Sequence, residues 1–356
     1  VGSLVASGLS ITPDDFINGN YVFDALENTS GAVINHGIIN ASLGGESGGS
    51  VSLIGKRVEN HGYISANLGA VNLAAGKQAV LTFEAGGLLG VSVTDEILQE
   101  ELGLDPALVN SGEITAKGGR VLLTASASQD VFSQAVNSGL EQATSVVVHD
   151  DGSFTLGGGA DVVNSGKIDV STPASINQAD ESFDLATNTT SSSINSSKIV
   201  ILGDNITSSG QLLASTSYAN DTASVSTNAI NDKPSGEIEL HAQDTLLLTE
   251  NSTTLATAST NGTGGTIKLL ADNVGLFDNA QVDASGGVGG KIFIGGDQQG
   301  LNAGMPNAEF VYLGEHTQVL ANGLSATEGG DLATNVGADG GTIIAFANNS
   351  SRIYGE

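Results

Sequence analysis

The chain contains no cysteine and no tryptophan, five prolines, one methionine and only 11 cationic side chains in 356 residues. Each shortage removes possibilities. Without cysteine there is no disulfide framework, thiolate nucleophile or thiolate metal site, which is compatible with the cytosol and with large secreted bacterial proteins that cross a membrane unfolded. Aromatics make up 4% of the chain, while Val, Ile, Leu and Ala dominate its apolar 39%, a balance that suits a narrow interior better than a wide globular core. Against 11 Lys and Arg stand 39 Asp and Glu, a net charge of -28. That surface repels phosphate backbones and anionic lipid, which are held by clustered cations, so nucleic acid is not an expected partner. The acidity serves solubility, with calcium the one ion it would suit; no other cofactor is expected.

No apolar run approaches the ~18 residues of a membrane span, and no membrane insertion is expected. The opening "VGSLVASGLS" has neither the basic start nor the cleavage pattern of a signal peptide. With no initiating Met and no terminating feature after "SRIYGE", the chain is expected to be a piece of something longer.

Glycine is abundant: 49 residues, roughly twice average usage. It recurs with order. "VINHGIINA" (33–41) is followed by "VENHGYISA" (58–66), "LVNSGEITA" (108–116), "AVNSGLEQA" (135–143) and "VVNSGKIDV" (162–170). The asparagines Asn35, Asn60, Asn110, Asn137 and Asn164 lie 25, 50, 27 and 27 residues apart, the 50 read as two periods. Small residues before a short β-run recur too, as in "GGSVSLIG", "GAVNLAAG", "GGRVLLTA", "GGTIKLLA", "GGKIFIGG" and "GGTIIAFA". The last three carry Gly265, Gly290 and Gly341, 25 and 51 residues apart. A period near 25 therefore runs from end to end.

Fixed periods of this size mean a solenoid or an array, and alternating apolar and small residues between Asn-Ser-Gly or Gly-Gly turns are strand chemistry. The expected fold is all-β: a right-handed parallel β-helix in which each strand pairs with its counterpart one turn later. Counted at one turn per period, roughly thirteen or fourteen turns ~4.8 Å apart give a rod about 60 to 70 Å long. The repeated Asn is expected at a sharp turn, tolerating left-handed geometry and stacking into an amide ladder along the rod. The glycines Gly37, Gly62, Gly112, Gly139 and Gly166 are expected at positive φ.

Three stretches break the pattern. Residues 84–107 contain "TDEILQEELGL", where Thr94 or Asp95 as N-cap, acids in the first turn, and Gly103 then Pro106 as stops predict a short helix. Residues 171–198, rich in Ser, Thr and Asn, and residues 324–339 read as loop excursions.

Taken in order, "VGSLVASGLSITPDDFINGNYVF", "GAVINHGIINA", "GGSVSLIGKRVENHGYISA", "GAVNLAAGKQAVLTF" and "LVNSGEITAKGGRVLLTA" resemble the amino-terminal haemagglutination-type domain of two-partner secretion exoproteins, the filamentous haemagglutinin family. "GEIELHAQDTLLL", "VDASGGVGGKIFIGGD" and "GGTIIAFANNSSRIYG" resemble the start of that family's adhesive shaft, so the likeness spans nearly the whole chain. It implies residues 1–170 as the later part of the secretion domain and 171–356 as continuing shaft repeats. It also implies a large bacterial protein exported through an outer-membrane secretion partner, folding outside the cell as a secreted or surface-held adhesin. The ligand would lie on host cells, other bacteria or a biofilm-matrix polysaccharide. Relatives include contact-dependent toxin carriers, so a toxin-delivery stalk is the alternative. The Asn-Pro motifs by which the family's secretion signal is recognised are absent, and no recognition residue carries over.

An enzyme is not expected. A β-helical polysaccharide lyase needs acidic calcium ligands with a Lys or Arg base in line, and a glycosidase needs a convergent carboxylate pair; the scattered cations show no such line. Asp150 and Asp151 beside His149 read as a hairpin turn, and "GDN" (203–205) and "GGD" (295–297) read as turns. The glycine-rich segments lack the following helix and lysine of a phosphate loop. The sequons at Asn188, Asn195, Asn205, Asn220, Asn251 and Asn261 follow from composition, with glycosylation a minor option. His36 and His61 are expected about one inter-strand spacing, ~5 Å, apart and exposed beside the ladder. No third metal ligand is evident, and later repeats carry Ser111, Ser138 and Ser165 at that position.

Overall fold

Short runs of alternating apolar residues, each ended by glycine or asparagine, return to the same place at every turn; in the computed structural model they stack as three parallel faces of a β-helix. The structure describes residues 2–27, 29–41, 48–83, 89–97, 102–103, 105–126, 146–148, 154–156, 160–172, 197–217, 231–260, 262–302, 304–324 and 338–355.

The first face stacks Ser3–Ser7, Ser50–Gly55, Ala70–Ala75, Arg120–Thr124, the opening halves of Lys198–Ser208 and Glu237–Leu248, Thr266–Leu270, Lys291–Ile294 and Thr342–Ala345. The second stacks Ala32–Asn35, Arg57–Asn60, Leu108–Asn110, Val162–Asn164, the closing halves of the same two long strands, Asn273–Leu276, Ala308–Leu313 and Ala347–Ile353. The third runs from Ile38–Asn40 through Tyr63–Ser65, Glu113–Thr115, Lys167–Asp169, Gln211–Leu213, Thr253–Leu255 and Gln281–Asp283 to Gln318–Leu320. Lys198–Ser208 and Glu237–Leu248 pass round a corner from the first face to the second, the register between them shifting at Gly203–Asn205.

Because the faces pair in parallel and in register, like residues stack on like. Val51, Val71, Val121, Ile199, Ile238, Ile267 and Ile292 occupy one register position on successive rungs, all fully buried. Ile64, Ile114, Ile168 and Leu212 do the same on the third face. Each such side chain contributes about 1.5 to 3 kcal/mol of burial, spread evenly along the axis, so no central globular core is needed.

The rung count corrects the expected length. Asn60 lies on the rung directly below Asn110, and Asn110 directly below Asn164, so intervals of 50 and 54 residues are each one turn. Lys291 likewise pairs directly with Thr342. Bare turns take between 20 and 29 residues, and the rest of the longer intervals leaves the coil. Nine rungs on the first face make a stack of about 40 Å at the inter-strand spacing, shorter than one turn per 25 residues implies.

One excursion is structural. Gln78–Phe83 and Leu89–Asp95 form an antiparallel pair joined by Val22–Asp24, laid over the outside of the first rungs. Leu81, Val91 and Val93 pack there on Ile54 and Ala74, which is why Ser50–Gly55 and Ala70–Ala75 are buried on both sides. Thr94 and Asp95, expected to cap a helix, instead end a strand of this layer: pairing with Gln78–Phe83 outweighs the local capping signal. The stretch from 98 to 101 lies outside the described residues; beyond it Leu102 is helical and Gly103, the expected stop, follows at φ 73°. An α-helix that was not expected is Pro13–Asn18, where Thr12 accepts a hydrogen bond from the Asp15 amide, Pro13 opens the first turn, Asp14 and Asp15 follow, and Gly19 closes it at φ 75°.

Val146–Val148 and Phe154–Leu156 pair antiparallel. Residues 149–153 themselves lie outside the described residues, as do most of 171–198 and 324–339. Strand pairing continues across position 170 without a break.

Candidate functional site

The repeated corner is built from the last residue of each strand on the second face. Asn35 Nδ2 donates to Asn60 Oδ1, Asn60 to Asn110 and Asn110 to Asn164, each at 2.8 Å, and Asn164 donates to Ser208 Oγ at 3.1 Å. Asn60, Asn110 and Asn164 are fully buried, so the amides sit in the interior wall with no access to water. Asn137 and Gly139 lie outside the described residues, and the rung that pairs with Asn110 is that of Asn164.

Two expectations about this corner change. The asparagines lie within strands, and none of the four is among the residues at positive φ. Gly37, Gly62, Gly112 and Gly166 are not left-handed either. For the last three the reason is close approach: a Cβ on Gly62 would strike the Gly37 carbonyl oxygen, one on Gly112 that of Gly62, and one on Gly166 that of Gly112, whereas one on Gly37, at the end of the column, would meet only Asn35 Oδ1 at 3.8 Å. The glycines let successive corners touch backbone to backbone.

His36 and His61 project outward from the same corner with ring centroids 5.0 Å apart and planes 15° from parallel. His61 Nδ1 lies 2.6 Å from Ser111 Oγ, and its Nε2 lies 2.6 Å from Glu59 Oε2; Glu59 also pairs with Arg57 Nε at 2.6 Å. The ring is thereby held between a hydroxyl and a carboxylate. Among the described residues no group of three or more His, Cys, Asp or Glu is placed to hold a metal ion.

A second polar array, missed in the sequence, lies on the outside of the first face. Lys198 Nζ is 3.3 Å from Glu237, and Lys268 Nζ bridges Glu237 at 2.7 Å and Glu239 at 3.2 Å. Burial raises the Glu237 carboxyl, but Lys198 and Lys268 outweigh it and hold the group below the usual carboxylate range. Burial lowers the Lys268 ammonium, but Glu239 and Glu237 together leave it above its ordinary value. Half-buried His241 is held below the ordinary histidine range by desolvation, against the pull of Glu239; its column neighbours are Leu202 and Leu270. The signal was present: four of the nine strands of this face open on a charged residue at one register position, Arg120, Lys198, Glu237 and, after Thr266, Lys291. Lys198 and Lys268, 70 residues apart in the sequence, are thus brought by the coil onto the same pair of carboxylates.

Carboxylates also gather at the corner between the first and second faces. Burial raises Asp272, and Asp244 and Glu309 on the adjoining rungs raise it further. Asparagines separate them: Asn273 Nδ2 donates to Asp244 Oδ1 at 3.1 Å, and Asn348 and Asn349 donate to Glu309. Among the sequons, Asn205 is a strand residue whose amide donates to Asp161 at 2.9 Å, whereas Asn251 sits in an exposed turn at φ 63°. Asn188, Asn195, Asn220 and Asn261 lie outside the described residues. "GDN" is a bend inside a strand, and "GGD" is a turn, with Gly295 at φ 74°.

No helix of the described residues is long and apolar enough to cross a membrane. No protein-family model matches the chain, and no curated protein matches it by sequence. Among solved structures it is similar to the crystal structure of the HMW1 secretion domain from Haemophilus influenzae, over 100% of this chain and 74% of that one, at 19% identity and a TM-score of 0.50. At that identity the likeness concerns the fold, and the fold it shares is the parallel β-helix.

Proposed function

We propose that the chain is a segment of a bacterial exoprotein exported by two-partner secretion, and that it serves as a non-enzymatic β-helical stalk of an adhesin on the cell surface or in the medium. The observation that carries this reading is the coincidence, over the full chain, of a coil similar to a solved secretion domain with the order of segments seen in the filamentous haemagglutinin family. Residues 1–170 are assigned to the secretion-type part and 171–356 to the shaft.

The physics of the coil supports export. Each rung contacts its neighbours, so a chain emerging end first can add one turn at a time on the finished turn below, and with no cysteine it needs no oxidant. The ligand would be a host-cell, bacterial-surface or matrix polysaccharide, met most readily by the excursions, since strands repeat while loops differ. The test is expression of the segment behind a signal peptide and an Asn-Pro recognition region of the two-partner class, with and without the matching outer-membrane transporter, followed by binding of chain-coated beads to epithelial cells and to biofilm matrix. Transporter-dependent release with bead adhesion above that of albumin-coated beads is the expected result. Periplasmic retention in both strains would refute the export reading, and adhesion no higher than albumin would refute the adhesin reading.

A further inference from the structure

In a chain with 11 cations and a net charge of -28, three cations line one groove. Lys56, Arg57 and Lys77 converge where the loop before the first strand of the second face meets the outer antiparallel layer, around a volume of about 620 Å³. This is the size of a small-molecule site, and such sites pair an apolar wall with a few fixed polar groups. Leu26 and Ile34, 52% and 49% exposed, and Ile97 supply the apolar wall.

The three cations are not equivalent. Arg57 is committed to Glu59 and to Asp105, at 2.6 and 2.9 Å, and Lys77 is engaged by other groups. Lys56 is in no ion pair among the described residues. Its stem lies against Gly31, where a Cβ would come within 2.9 Å of Lys56 Cγ, and its ammonium donates to the carbonyls of Leu26 and Thr29 at 3.1 and 3.2 Å. An ammonium has three donors, so one N–H remains, on a half-buried side chain already fixed in place. Glu59 is neutralised by Arg57. Glu27 is the other carboxylate of the lining, and it is exposed, so solvent and salt screen it more than Lys56.

We propose that this groove binds a small carboxylate with an apolar body, the carboxylate taking the free N–H of Lys56 and the body covering Leu26, Ile34 and Ile97. The probes are octanoate, octanamide and octylammonium, titrated against the ¹⁵N-labelled full chain while the amides of the Lys56 loop are followed. Octanoate is expected to bind about tenfold more tightly than octanamide, a difference of about 1.4 kcal/mol, and to lose that advantage at high salt. Lys56→Met keeps the stem over Gly31 and should reduce octanoate to the level of octanamide; Lys56→Arg should keep the preference; Glu27→Gln should strengthen octanoate binding. Equal binding of octanoate and octanamide, a preference that survives in Lys56→Met, tighter binding of octylammonium, or no shift at about 10 mM octanoate, well beyond the usual range of specific small-ligand affinity, would each overturn the assignment. Because Lys56→Met and Lys56→Arg are read against each other at matched melting temperature, misfolding is separated from loss of the site.

Discussion

Replacing Asn110 tests the buried ladder most directly. Its amide donates to Asn164 and accepts from Asn60, both at 2.8 Å, and it has no solvent exposure. Asn110→Ala therefore strands a donor on Asn60 and an acceptor on Asn164, each of which costs about 1 to 3 kcal/mol when buried without a partner, for a total of about 2 to 6 kcal/mol. Asn35→Ala is the internal control. Asn35 ends the ladder, is 9% exposed, donates to Asn60 and accepts from the amide of exposed Gly37; the Gly37 amide can turn to water, so the substitution strands one buried group, at a cost of about 1 to 3 kcal/mol. Asn110→Asp should be worse than alanine at neutral pH, because a carboxylate can accept from Asn60 but cannot donate to Asn164 and is buried besides. Burial raises such a carboxyl, so the aspartate variant should regain stability as pH falls and lose it as pH rises.

Urea unfolding gives the ordering, and hydrogen exchange resolved by rung shows where the loss occurs, since a coil of this kind opens locally. The predicted order is Asn110 costlier than Asn35, with exchange accelerated at the strands ending in Asn60, Asn110 and Asn164. Equal costs at the two positions, or an Asn110→Ala cost below about 0.5 kcal/mol, the size of an ordinary surface effect, would show that the amide chain is a packing coincidence.

Three further predictions concern other parts of the coil. Gly112→Ala should destabilise by about 3 kcal/mol or more, because its Cβ meets the Gly62 carbonyl, whereas Gly19→Ala, at φ 75° in open space, should cost only about 1 kcal/mol; similar thermal shifts for both would contradict the close-approach account. His241 has its folded value depressed from 6.5, so its contribution is fully present above that pH and is lost as pH falls through the folded value; His241→Leu should remove that slope from stability measured between neutral and mildly acid pH. Glu237, depressed from 4.5, stabilises above that pH and loses its contribution on acidification, while Lys268, raised from 10.5, stabilises below that pH and loses it on alkalinisation. Glu237→Gln should flatten both limbs, and a profile unchanged from wild type would mean the network is screened.

The parts of this fold that were legible in the sequence are those where one residue type recurs at one register. Asn-His-Gly and Asn-Ser-Gly marked the corner at Asn35, Asn60, Asn110 and Asn164 because buried amides and touching backbones admit few substitutes. What was illegible was how much chain a turn consumes. The spacing from Asn60 to Asn110 looked like two periods because 50 is twice 25, yet the extra residues build Gln78–Phe83 and Leu89–Asp95 outside the coil. No local signal separates a strand of the coil from a strand laid on it. Thr12, Pro13, Asp14, Asp15 and Gly19 spell the start and stop of Pro13–Asn18, a helix that belongs to no repeat, while "TDEILQEELGL" carries a similar signal whose opening, at Thr94 and Asp95, tertiary pairing overrides although Leu102 is helical.

The ladder also ends within the coil. On the rung above Ser208 the same register position holds Leu248, followed by Leu276 and Leu313, all buried. Stacked leucines are nearly indifferent to which leucine they meet, so an apolar column does little to reject a skipped rung. A buried amide does reject it, because each Asn that misses its partner leaves a donor or an acceptor unpaired. That discrimination sits where intervals of 50 and 54 residues separate successive rungs, so that a strand leaving an excursion must find its place with little guidance from the connecting chain. On this argument the asparagines contribute less to total stability than to the choice of partner, and in a chain that adds turns one after another, an error in an early rung would be copied by every rung stacked upon it.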